Sequence, residues 1–424
     1  MKSTGAAGIM DASKDAPSTS IASARVAFMD NLRYLMIVLV VVYHSVAAYA
    51  IVAPHWTVHD SHTFAADIIR ELLDVFIMPV LFFAAGYFAL PSLEKKGLGD
   101  FLKDKVKRLL VPWALAVLIV LPLALYDQPV KPVRPFWKYW LSYLGSFETR
   151  LRFTQAPVGI TTQAIYWFLS LLFVFFLLFA LIYALVRRLR GGPIPPVARK
   201  STYGHSVLVA LMSFGLLTSA AYFILLLLVP DSSWFTLYMF LEFQVTRLVP
   251  FAGCFALGVY AQSRGWFADG RPLGSLTVWG ALSTLLAVAY LIFGQPMFAD
   301  TAGTAHLAVG YLLVFAFLRS FLLLSLLVVL VSFGVRYWNY ARGLDRQLAA
   351  ASCYIYLVHF FIVVGLQAAL LGWIGGLVAA KIAIVFLVAL ALSFAISRWV
   401  LERHSRAFAV AILALFVFCL FVRP

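Results

Sequence analysis

Eleven apolar runs, parted by short polar loops, constrain this chain more than any other feature. They fall at 33–53, 68–90, 109–126, 163–186, 206–229, 245–262, 274–293, 307–335, 351–372, 377–400 and 407–422. About 20 apolar residues cross a bilayer as a helix, and lipid offers the backbone no hydrogen-bond partners, so each crossing must satisfy its own. The expected fold is therefore all-α, a polytopic transmembrane helical bundle. The run at 307–335 is longer than a straight crossing needs and either tilts or extends into the cytoplasm. The run at 407–422 is short and either crosses or lies in the interface. With 63% apolar and 12% charged residues, too little polar surface remains for a soluble domain of this size.

Residues 1–24, rich in Ser, Ala and Gly, read as a disordered cytoplasmic tail. Residues 25–403 read as one transmembrane domain, and 404–424 as a C-terminal apolar helix. The first apolar run is too long for the core of a cleaved signal peptide, so none is expected. The formal charge of +15 does not call for nucleic acid, because Lys and Arg gather in cytoplasmic loops beside anionic membrane lipids. Cys254, Cys353 and Cys419 lie in apolar runs with no disulfide or metal-site spacing, and read as packing residues.

Loop charge sets the expected orientation. The loop 54–67 has no Lys or Arg, whereas 91–108 carries Lys95, Lys96, Lys103, Lys105, Lys107 and Arg108. Loops 187–205 and 336–350 are basic, and loops 230–244 and 294–306 are not. The alternation places the N-terminus in the cytoplasm. The exception is 127–162, which holds Lys131, Lys138 and three arginines with Trp137, Tyr139, Trp140, Tyr143 and Phe147. It reads as an amphipathic segment on the outer surface. No internal repeat is visible, which weakens a transporter built from inverted halves.

The polar residues inside the runs are the candidates for function. At about 100° per residue, the eleven steps from Arg33 to His44 close three turns plus about 20°, so both share a face about 16 Å apart. Asp30 lies one turn before Arg33. Ionisable groups at membrane depth are costly and face a cavity or the bundle interior. No second ligand stands at i+3 or i+4 from His44, so a metal is not expected. The next run enters from outside with Arg70, Glu71 and Asp74. Asp74 would lie about 9 Å and His44 about 12 Å below the outer end. Asp74 either orients the His44 imidazole as a base or pairs with Arg70 one turn earlier. Arg247 follows Glu242 by five residues and is a candidate ion-pair partner for it. Tyr356 and His359 are i,i+3 neighbours that can share a lining face. The stretch 91–108 reads as a cytoplasmic interfacial helix, in which Lys105, Lys107 and Arg108 could also hold the phosphates of a donor such as coenzyme A.

Four places resemble the membrane-bound acyltransferase-3 family. Arg25, Asp30, Leu32, Arg33 and His44 match its opening motif in type and spacing, with the Arg-x10-His portion the most specific part. Phe82-Phe-Ala-Ala-Gly-Tyr-Phe88 precedes a basic stretch ending at Arg108. Ser352 to His359 is similar to the family's Ser-Tyr-x-x-Tyr-Leu-x-His, and Glu402-Arg403 to its Glu-Arg-Pro ending. The chain departs from the pattern at Ala85, at Cys353, at Ile165-Tyr166 before Trp167-Phe168-Leu169, and at His404.

The resemblance implies a ten-helix core, and leaves open whether 407–422 adds an eleventh helix. It also implies an enzyme that moves an acyl group from cytosolic acyl-CoA to a hydroxyl of a cell-envelope sugar or lipid. Acetyl and succinyl are the leading acyl groups, and no cofactor is held permanently. Arg25, Asp30, Arg33, Lys105, Lys107, Arg108, Tyr356 and His359 are expected to bind substrate. His44 is expected to act on the acceptor hydroxyl as base, or to carry the acyl group, with Asp74 beside it. The expected location is the bacterial inner membrane, with no esterase-like domain after Pro424. The alternatives are a lipid or sugar transporter that uses the buried charges as a path, and a scaffold in which those charges only pair.

Overall fold

The computed structural model describes residues 27–53, 56–126, 135–145, 163–192, 205–238, 240–299, 307–373 and 375–422. Arg25, Lys131, Phe147 and the arginines at 134, 150 and 152 lie outside them. Among the described residues, nine helical stretches are long and apolar enough to cross a membrane. The polytopic helical bundle expected from the sequence is the observed fold.

In chain order the helices are α1 (Ala27–Ser45), α2 (Phe64–Lys96), α3 (Leu98–Ala124), α4 (Phe136–Gly145), α5 (Trp167–Leu189) and α6 (His205–Leu228). A two-stranded hairpin follows, β1 (Trp234–Leu237) antiparallel to β2 (Leu241–Gln244). Then come α7 (Leu248–Ser263), α8 (Leu276–Phe293), α9 (Val309–Tyr337), α10 (Gly343–Leu370), α11 (Val378–Ile396) and α12 (Glu402–Val422). At 16 residues α7 spans about 24 Å, less than a hydrocarbon core of about 30 Å. A π-turn at Ser397–Leu401 joins α11 to α12, and the backbone leaves helical values at His404.

One expectation needs correction. The basic stretch before the third run is not a separate interfacial helix: it continues into the span through π-turns at Val106–Leu110 and Ala116–Val120. The apolar face of Phe101 packs inside the bundle, and the cations ride on the same helix. The aromatic segment at 136–145 is a helix that turns Phe136 and Tyr143 inward and leaves Trp137 and Leu141 outside. It lies against α12 through Phe416.

Helix α1 sits at the centre, packed against α2, α9, α10 and α11. Its start is tied down by Asn31, whose side-chain amide donates to the carbonyls of Trp338 and Tyr340 at 2.8 and 2.9 Å. Those carbonyls belong to the linker between α9 and α10. The Tyr34 hydroxyl reaches Asp345 in the first turn of α10 at 2.5 Å. The closest helix crossing is between α2 and α7, and it depends on two glycines. A β-carbon at Gly258 would stand 2.1 Å from the Phe83 carbonyl oxygen, and one at Gly86 would stand 2.1 Å from that of Phe255. Without lipid-facing hydrophobic drive, such close packing of small residues holds membrane helices together.

Gly258→Ala should therefore cost about 1–3 kcal/mol, the usual range for overpacking a tight contact. It should lower the detergent-solubilised melting temperature, whereas Gly280→Ala, where nothing lies within 4 Å, should leave it unchanged.

Candidate active site at a buried imidazole pair

The C-terminal end of α1 stops inside the bundle rather than at its surface. Residues 42–45 are the last of its helical carbonyls, and such groups need partners that lipid cannot supply. Gln367 of α10, 1% exposed, supplies them: its amide nitrogen donates to the carbonyls of His44 and Ser45 at 3.0 and 3.1 Å. Its amide oxygen accepts the Trp56 indole N–H at 2.7 Å. Trp56 in turn stacks on the His44 ring, with centroids 5.0 Å apart and planes 15° apart. One glutamine therefore fixes the helix end and the aromatic cover of the histidine together.

The His44 ring faces a second imidazole, that of His359 on α10, with centroids 5.3 Å apart. His359 is fully buried. Its Nδ1 lies 2.8 Å from the Tyr356 carbonyl oxygen and 3.2 Å from that of Ile355. Carbonyl oxygens only accept, so in the neutral ring Nδ1 carries the hydrogen and Nε2 keeps its lone pair. Among the described residues neither His359 Nε2 nor His44 Nδ1 has a hydrogen-bond partner, although both are buried. A buried polar atom left without a partner costs about 1–3 kcal/mol, and here two such atoms belong to adjacent rings. The Arg70 guanidinium lies over the neighbouring Tyr43 ring, 4.2 Å from its centroid.

Asp74 does not join this pair. The expectation that it orients His44, and the alternative that it pairs with Arg70, are both corrected. Its carboxylate is 2.6 Å from Arg319 and 3.3 Å from Arg247. Arg247 also meets Asp231 at 3.0 Å, and Arg319 donates to the Tyr290 hydroxyl. Burial alone would raise the Asp231 carboxyl, but the charges of Arg247 and Arg319 outweigh it and hold it below its ordinary value. Glu242 is not the partner of Arg247 either, since it accepts the Gln163 backbone N–H at 3.1 Å. The void beside Arg319, Val75 and Tyr222 is about 10 Å³, room for about one water. Asp74 is thus the hinge pin of a structural ion network.

On the side where α1 begins, a cleft of about 300 Å³ opens between Asp30, Asn31, Arg33, Asp345, Arg346 and Ala349. Arg33 pairs with Asp30 at 3.3 Å and remains half exposed. Its charge and that of Arg108 both act on Cys353, which brings the two basic elements to one region of α10. Arg108 and Lys96 share Asp104, each at 2.9 Å. Lys107 is exposed. Lys105 turns inward instead, its ammonium 4.0 Å from the Phe176 ring centroid. The Tyr356 hydroxyl is occupied by the Ile165 carbonyl, and the Tyr166 hydroxyl by that of Leu357 at 2.7 Å. These two tyrosines lock α5 to α10 just where the chain departs from the family's pattern. No group of metal-ligating side chains occurs among the described residues.

The loop between α1 and α2 closes over His44. Lys381 of α11 reaches Asp60 in it at 2.6 Å, and the Asp60 N–H binds the Ala48 carbonyl at 2.9 Å. Burial alone would raise the Asp60 carboxyl. The hydrogen bond from Lys381 and that from the Ser61 N–H outweigh it and hold the group below its ordinary value.

Gln367→Leu should strip partners from the His44 and Ser45 carbonyls and the Trp56 indole. At about 1–3 kcal/mol for each orphaned group, a melting-temperature drop of several degrees and a larger loss of activity are expected. Acidification should loosen the loop between α1 and α2. A carboxyl depressed in the fold stabilises above its unfolded value near about 3.9 and loses that contribution as pH falls through its folded value. Proteolysis of the loop should accelerate below that range in the wild type, and Asp60→Asn should remove the acid dependence.

The family model described as an acyltransferase domain matches residues 26–398, a stretch that includes His44, His359 and Gln367 and ends before Glu402-Arg403. No curated protein and no solved structure matches. A match over most of the chain, together with the Arg33 to His44 spacing on a central helix, places this protein in the membrane-bound acyltransferase-3 family, as a multi-pass membrane acyltransferase.

Proposed function

We propose that the protein takes an acyl group, acetyl or succinyl, from cytosolic acyl-CoA. It passes that group to a hydroxyl of a cell-envelope sugar or lipid at the bacterial inner membrane. The observation that carries this reading is the His44 ring: half-buried on the central helix, covered by Trp56, its helix end held by Gln367, with a buried Nδ1 that has no partner among the described residues. A neutral imidazole so placed can accept the proton of an acceptor hydroxyl as its oxygen attacks the thioester carbonyl.

The remaining contacts divide by face. The basic loops put the cleft at Arg33 on the cytoplasmic side, where its half-exposed guanidinium can bind a phosphate of the donor bidentately. Lys107 and Arg108 offer further exposed cations on the same side. Lys105, folded onto an aromatic ring, supports α5 instead. The acceptor would come from the face of the 46–63 loop, whose Trp56 offers an aromatic surface beside the reacting ring. A thioester is already activated, so alignment and proton removal supply most of the needed acceleration. Asp74 takes no step in this scheme.

Membranes holding the wild-type protein should transfer radiolabel from acetyl-CoA or succinyl-CoA to an envelope component. His44→Ala should lower that transfer by at least about 100-fold, the lower range for loss of a general base, while the protein still inserts and melts normally. Full labelling by His44→Ala would exclude the base role. Arg33→Ala should raise the KM for acyl-CoA with a smaller change in kcat. A variant that unfolds would make Arg33 a structural residue.

A further inference from the structure

We propose that His359 is a second catalytic residue, forming with His44 a two-imidazole proton relay. The inference rests on the acyl-transfer reading and deepens it. His359 has one nitrogen committed and one free. The Nδ1–H is held by the Tyr356 and Ile355 carbonyls of its own helix, which fixes the ring and leaves Nε2 as a lone-pair acceptor. Nothing among the described residues uses that lone pair. A side chain wanted only for the backbone contact could be an asparagine, whose amide donates from the same position without burying an idle acceptor. The His359 ring lies 5.3 Å from the ring already assigned to the hydroxyl proton, between centroids, and is tilted by 34° to it. No direct hydrogen bond joins the two rings, so the relay runs through one bridging water.

The relay conserves atoms and charge. The acceptor oxygen forms its bond to the acyl carbon while one nitrogen of His44 takes the hydroxyl proton. The N–H on the other side of the His44 ring passes to His359 Nε2. The C–S bond breaks, and the proton held at His359 Nε2 returns through His44 to the departing thiolate, so that acyl ester, free thiol and two neutral imidazoles remain. Passing the positive charge between two rings spares either of them from holding it alone in a low-dielectric interior. Arg70, whose charge acts on His44, adds to the need to move it away. The other titratable groups facing the pair are Tyr43 and Tyr356, and the Tyr356 hydroxyl is already committed to a carbonyl.

The test uses the full-length protein in its membrane, with radiolabelled acetyl-CoA or succinyl-CoA as probe. His359→Asn keeps a donor at the Nδ1 position and removes the base. We expect at least about a 100-fold fall in label transfer, with unchanged melting temperature and unchanged KM for acyl-CoA. Near-normal transfer by this variant overturns the proposal. In His359→Ala, added imidazole should restore part of the transfer, and no restoration counts against a role for the lone nitrogen. The wild type supplies a measurement that needs no variant. The rate of transfer in mixtures of light and heavy water should bow with deuterium fraction, as two protons in flight require, and a straight line overturns the relay. A wild type that transfers no label at all would instead overturn the acyl-transfer reading itself.

Discussion

Inside a bilayer a carboxylate or guanidinium can be held only by another group of the same chain, and that constraint fixes how these helices face one another. Asp74 on α2 meets Arg319 on α9 and Arg247 just before α7, and Arg247 also meets Asp231 in the turn before β1. Three separate elements are thereby set in rotation about their own axes. A buried ion pair is weak evidence for net stability, because desolvation offsets much of the Coulomb gain. Its effect here is orientation, since leaving any one of these charges alone in the interior would be far more costly than pairing it.

The reacting centre obeys the opposite rule. Around His44 the carbonyls at the helix end are satisfied through Gln367, while His44 Nδ1 and His359 Nε2 have no partner among the described residues. The neighbouring ion network engages Asp74 of α2 with Arg319 and Arg247, so that this carboxylate does not draw the His44 ring into a structural bond. The stacked Trp56 and the fixed end of α1 then hold an unbonded imidazole in one pose. Preorganisation of this kind places the cost of ordering in folding rather than in the reaction.

The membrane architecture was legible in the sequence because runs of about 20 apolar residues admit few other readings. So was the shared face of Arg33 and His44, since both lie on one uninterrupted helix whose phase is fixed by counting. The partner of Asp74 was not legible. Helices that are apolar all round carry little periodicity, so nothing in α2 or α9 declares which way it is turned. Counting residues from the membrane edge placed Asp74 at the depth of His44 and could not supply the angle. Gln367 was missed for a related reason: a single amide in an apolar run has no spacing to read, and its importance appears only once the end of α1 comes to lie beside it. Trp56 sits in a loop whose path no periodicity describes. The pairing of Arg247 with Asp231 rather than with Glu242 turns on a hairpin that places Glu242 against Gln163.

The glycine crossing of α2 with α7 limits where motion can occur. With each backbone resting on the carbonyls of the other, neither helix can slide or roll without driving atoms into contact, so the two behave as a fixed post. Access to the histidines must then be governed from the opposite flank. There α10 carries both His359 and Gln367, and α11 carries the lysine that anchors the outer loop. A tilt of that flank would part the two rings, free the end of α1 and unlatch the loop in one movement. Opening of the bundle and dismantling of the paired arrangement would be the same event.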